Sequence, residues 1–196
     1  MSNLKKGKGK VMKKLYTTLM MAMMGMMTLS FTSCETDEEI AYTLEGTWKG
    51  NMYINSEWGG KTYTTTYSEI TFLKDPYTYS EGTGYWVDYY SGAPWDYVAN
   101  HIEWSINYGV IKIYFVEDRD YMEIRDYSLN YGHFSGTIYD GGNIVDFELY
   151  NTSRPTYSNY NWGYDSWYDN YSWSRTRGAE ADSAKVIEKP RRFVAK

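Results

Sequence analysis

The sequence predicts an all-β domain, an antiparallel up-and-down meander of about eight strands that closes into a small barrel. Three observations carry this. Between Thr47 and Asn151, apolar residues recur at every second position, the period of a strand with one buried face. Short turn sequences separate these runs. Aromatic residues with high strand propensity are abundant, at 23 Tyr and 8 Trp against only 6 Phe.

The strands follow in order. Trp48, Gly50, Met52 and Ile54 alternate with polar neighbours in the first. Ile70 and Phe72 close a Thr/Tyr-rich second, and Tyr85–Tyr90 forms the third. Ile102, Trp104 and Ile106 share one face of the fourth, as Ile111, Ile113 and Phe115 do in the fifth. Met122 and Ile124 mark the sixth, Phe134, Gly136 and Ile138 the seventh, and Val145, Phe147 and Leu149 the eighth. Asn107-Tyr108-Gly109, Asn130-Tyr131-Gly132 and Asp140-Gly141-Gly142-Asn143 supply tight hairpin turns between them. No sustained 3.6-residue apolar period occurs before residue 178. Consecutive strands joined by short turns pair antiparallel, and closure into a barrel removes exposed edges. A two-sheet sandwich would need the same pattern and stands as the alternative.

The first 40 residues are of another kind. Six lysines, from Lys5 to Lys14, precede an apolar stretch from Leu15 to Phe31, and no acid occurs before Glu35. A basic segment followed by a short apolar one is the build of a secretory signal. The stretch falls short of the roughly 20 predominantly apolar residues that span a bilayer. It ends in Leu29-Ser30-Phe31-Thr32-Ser33-Cys34, and Cys34 is the only cysteine. This resembles the lipobox of bacterial lipoproteins, with Phe31 where leucine is usual. The resemblance implies a signal peptide over 1–33, cleavage before Cys34, and acylation of Cys34 as the new N-terminus. Two or more acyl chains suffice for stable membrane attachment.

Glu35, Asp37, Glu38 and Glu39 follow, so residues 34–43 read as an acidic, solvated tether. Acids directly behind a lipidated cysteine also resemble the surface-export signal of Bacteroidetes lipoproteins. That resemblance implies an outer-membrane location facing outward, with the periplasmic face as the alternative. Removing the six leader lysines from the 20 Lys and Arg leaves 14 against 25 Asp and Glu, a formal net of −11. Such a surface repels phosphate backbones, which excludes nucleic acid as a partner class.

At Gly46-Thr47-Trp48 the opening of the first strand resembles the Gly-x-Trp signature of lipocalins. Residues 44–153 as a whole resemble the lipocalin-like domains of small Bacteroidetes outer-membrane lipoproteins. The resemblance implies a barrel in which Gly46 and Trp48 are structural, Trp48 closing the base. It implies no activity.

Residues 154–196 form a C-terminal tail. Tyr157, Tyr160, Trp162, Tyr164, Trp167, Tyr168, Tyr171 and Trp173 alternate there with Asn, Ser, Asp and Gly, without one aliphatic residue. Three readings stay open: a disordered low-complexity tail, a contact surface for sugars or a partner, or packing back onto the barrel wall. Asp182-Ser183-Ala184 resembles a Bacteroidetes O-glycosylation motif, which would place a glycan on Ser183.

Motifs for catalysis are missing. The chain has no phosphate-binding Gly-rich loop ending in Lys, no Gly-x-Ser-x-Gly elbow and no His-Glu-x-x-His. Its two histidines, His101 and His133, read as strand-end surface residues, so neither a metal nor another cofactor is expected. The densest aromatic group, Trp86, Tyr89, Tyr90 and Trp95, surrounds Ser91-Gly92-Ala93-Pro94 and is the candidate ligand site. The expected function is a lipid-anchored, non-catalytic binding module for a small apolar ligand or glycan. The alternatives are an accessory lipoprotein docking an outer-membrane partner, and a small glycan hydrolase.

Overall fold

The computed structural model describes residues 35–164 and 190–195. Eight antiparallel strands close into a barrel: β1 (Gly46–Asn51), β3 (Lys61–Lys74), β4 (Glu81–Tyr90), β5 (Tyr97–Asn107), β6 (Val110–Phe115), β7 (Asp120–Leu129), β8 (His133–Asp140) and β9 (Asn143–Thr152). Each pairs with its neighbour in sequence. The seam is made by β1, which lies between β3 and β9, with Trp48 opposite Ile70 on one side and Asn151 on the other. The eight runs of alternating residues thus become the eight staves, and the barrel replaces the sandwich alternative.

Alternation places one side chain in two inside. Trp48, Phe72, Trp86, Phe115 and Phe134 are fully buried, as are smaller apolar residues such as Ile70, Ile102, Ile111, Ile113, Ile124 and Ile138. The rings meet edge to face: Trp86 on Phe115 at 5.0 Å, Phe134 on Phe147 at 4.9 Å, and Phe72 on Trp104 at 5.7 Å. Packing is tight enough that a Cβ added to Gly82 would meet the Trp104 ring at 2.7 Å. The interior is a continuous core, filled by side chains.

Two elements differ from the expectation. Residues expected as a solvated tether form helix α1 (Asp37–Leu44). Thr36 caps it: its hydroxyl accepts the Glu39 N–H, and the Glu39 carboxylate accepts the Thr36 N–H in return. Asp37, Glu38 and Glu39 then sit at the positive end of the helix dipole, where acids are favourable. Ile40, Ala41 and Leu44 face inward and join the core. The helix is the lower lid of the barrel, and the Trp48 indole N–H donates to the Leu44 carbonyl at 2.8 Å.

The second difference is at the opposite end, the mouth. The first strand breaks at Met52-Tyr53, where Tyr53 takes a φ of 51°, and continues as β2 (Ile54–Trp58), a hairpin partner of the first half of β3. Residues 191–194, expected as a loose tail or short helix, form β10 (Arg191–Val194) antiparallel to β2. The Val194 N–H also reaches the Asp140 carboxylate at the end of β8, at 3.1 Å. Strand β10 therefore occupies the seam above the end of β1. Cys34 and the leader, residues 165–189 with Trp167, Tyr168, Tyr171 and Trp173, and Ser183 lie outside the described residues.

Candidate functional site

The four aromatics expected to form a ligand site are divided between environments. Residues of β4 alternate faces, so Trp86 and Tyr90 point inward and Tyr89 outward. Trp86 is fully buried and its indole N–H donates to the Asp88 carboxylate at 2.7 Å. Tyr90 and Trp95 come together in the mouth at 5.9 Å, where Trp95 also meets Trp58, Tyr63 and Tyr164 edge to face. Both are at most 7% exposed, so they present little surface to a ligand. Tyr89 lies on the outer wall, stacked on Tyr67 and hydrogen-bonded to the Tyr160 hydroxyl at 2.6 Å. Burial pushes its own hydroxyl far up from the ordinary tyrosine range.

That outer contact resolves the first part of the aromatic tail. Tyr157, Tyr160 and Trp162 pack back onto Tyr85, Val87, Tyr89, Tyr97 and Ala99. Tyr157 stacks on Tyr85 at 4.3 Å, and its hydroxyl lies 2.5 Å from that of Thr71. Trp162 bridges Ala99 and lies against the His101 ring at 3.9 Å, while His101 Nδ1 is 2.6 Å from Glu117. Tyr164 then turns into the mouth, where its hydroxyl and that of Tyr90 both bond Ser56.

Beneath this aromatic layer is a buried ionic clasp that sequence reasoning missed. Arg192 projects from β10 into the barrel and lies 3.0 Å from both Asp88 and Asp118, with Asn100 Oδ1 at 2.6 Å. Asp88 also accepts from the Ser68 hydroxyl at 2.6 Å. Burial pushes the Asp88 carboxyl upward, opposed by Arg192 and by the two donors. Burial also works against the Arg192 cation, but Asp88 and Asp118 outweigh it and hold it charged. One sequence signal existed: Asp88 stands at an inward position between Trp86 and Tyr90, where an isolated carboxylate would be costly without a partner.

The outer wall offers a more open site. A groove of about 780 Å³ runs between the β3–β4 turn and the outward faces of β5, β6 and β7. Tyr114 and Tyr121, opposite each other in the β6–β7 register, form one side with ring centroids 4.7 Å apart. Tyr121 is 64% exposed. Glu81, Glu103, Lys74 and Lys112 supply charged edges, and Lys112 lies 3.6 Å from Glu123. This pairs flat apolar faces with convergent donors and acceptors, the composition of a small-molecule site. The tyrosines stand seven residues apart, and only the strand register unites them. Comparison with family models, with curated proteins and with solved structures finds no match to this chain.

Proposed function

We propose that the protein is a lipid-anchored, non-catalytic binding module that works through the outside of a solid barrel, taking a glycan chain in the groove beside Tyr114 and Tyr121. The groove carries this reading. A sugar ring has a flat C–H face that lies against an aromatic ring, and hydroxyls that exchange hydrogen bonds with carboxylates and ammonium groups. The groove offers both within one concavity, whereas the interior is occupied by packed side chains. An apolar ligand held inside the barrel has correspondingly little support.

The test is a glycan array probed with the full protein, followed by titration of any hit. A saturable ligand is expected, weakened at least tenfold, about 1.4 kcal/mol, by Tyr114→Ala with Tyr121→Ala. These side chains face outward, so the melting transition should persist in the double variant. Binding that survives both substitutions, or no binding across the array, overturns the glycan reading. The filled core favours the accessory-lipoprotein alternative next, because a solid barrel still presents its wall to a protein partner.

A further inference from the structure

The two ends of the barrel are built differently. At the lower end, where α1 enters, every turn carries an exposed tyrosine. Tyr77 and Tyr79 are in the β3–β4 turn, Tyr108 in β5–β6 and Tyr131 in β7–β8, and Tyr42 lies on α1 beside them. Their exposures are 87%, 55%, 93%, 77% and 61% in that order. At the mouth the turns carry Gly59-Gly60, Ser91-Gly92 and Gly141-Gly142, Trp95 is buried, and the exposed large apolar residues are Val116, Ile144 and, one residue into β7, Tyr121. Two of the lower tyrosines, Tyr79 and Tyr108, take φ values of 61° and 50°. Turns ordinarily fill such positions with Gly or Asn.

The chain enters at this same rim. Asp37, the first helical residue, accepts the backbone N–H groups of Tyr108 and Gly109 at 3.0 and 2.8 Å. Cys34 precedes Asp37 by three residues, a reach of no more than about 10 Å even fully extended. An acyl group on Cys34 would therefore hold the tyrosine-tipped end against the bilayer surface. Tyrosine suits that layer, with an apolar ring for the acyl boundary and a hydroxyl for the headgroups. The exposed Glu38 and Glu45 at this end repel anionic lipid, which selects headgroups of no net charge.

We propose that the five tyrosines form a docking surface for the zwitterionic headgroup layer of the membrane that anchors the chain, standing the barrel upright with its mouth turned away. This rests on acylation of Cys34 and deepens the anchored-module reading.

The experiment uses the full, membrane-extracted protein in phosphatidylcholine vesicles. Acylation blocks the native thiol, so spin labels at Thr78→Cys, Tyr131→Cys, Ser91→Cys or Gly92→Cys are each unique. Labels at 78 and 131 should be shielded from an aqueous nickel chelate and accessible to oxygen. Labels at 91 and 92 should behave as in bulk water. Adding Tyr77→Ser, Tyr79→Ser and Tyr108→Ser to the Thr78→Cys variant should restore chelate access with near-ultraviolet dichroism unchanged. Tip labels as open to the chelate as the mouth labels would overturn docking. Mass spectrometry of the N-terminal peptide separates the two ideas: an unacylated Cys34 overturns anchoring and docking together, and acylated protein with open tips overturns docking alone.

Discussion

Removing the guanidinium of Arg192 would leave Asp88 fully buried with its ionic partner gone. Breaking a buried pair from one side costs about 3–5 kcal/mol, because the remaining charge is uncompensated. Arg192→Met should therefore lower stability by about that amount in denaturant melts. Adding Asp88→Asn should recover a large part of the loss, since the amide can still accept from Ser68 and Trp86 without a charge to desolvate. A double variant as weak as Arg192→Met alone would mean that Arg192 acts through Asp118 at 3.0 Å or by packing over the Phe115 ring at 4.6 Å, and not through Asp88. Trp48 is simpler. It is fully buried, and its indole N–H donates to the Leu44 carbonyl.

The segment Tyr157–Tyr164 is held to the barrel by hydroxyls that must stay protonated. Burial first, among several causes, pushes Tyr157 and Tyr164 to about 12. A raised value in the fold means that the neutral form is the stabilising one. Its contribution is whole below the unfolded value near 10 and is lost as pH rises toward about 12. Alkali in that window should release this segment before the barrel melts, read as protease cleavage near residue 160 with the β-sheet dichroism intact. The eight staves are legible in the sequence because their interior faces alternate strictly. Helix α1 is harder to see, because its run of acids suits a solvated tether equally well, although Thr36 and Glu39 spell a capping box three residues apart. Strand β10 is hidden by Arg191-Arg192, a poor opening for a strand until Asp88 and Asp118 are seen to receive the second arginine. Of the aromatic site, Tyr89 and Tyr90 can be parted on sequence alone, since neighbours in a strand face opposite ways. The Tyr114–Tyr121 platform cannot be found that way.

At the scale of the whole domain, the described residues form a barrel lidded by a helix below and by a strand and aromatic layer above. Fatty acids and other slender apolar ligands should leave its melting temperature unchanged, because a ligand stabilises only the state that has room to bind it. A rise that grows with ligand concentration would show that the core opens. The seam has a further consequence, for how the chain becomes a fold. Thr47 pairs with Thr152 across the closure, and Val194 pairs with Ile54. Contacts so distant in sequence make folding slow, since the intervening chain must be confined before any of them forms. A polypeptide still emerging from a ribosome or a translocation channel holds the two sides of the seam on opposite sides of that event. The barrel can close only after the stretch that carries Thr152 has arrived, and β10 can add to β2 only after Arg192 has followed.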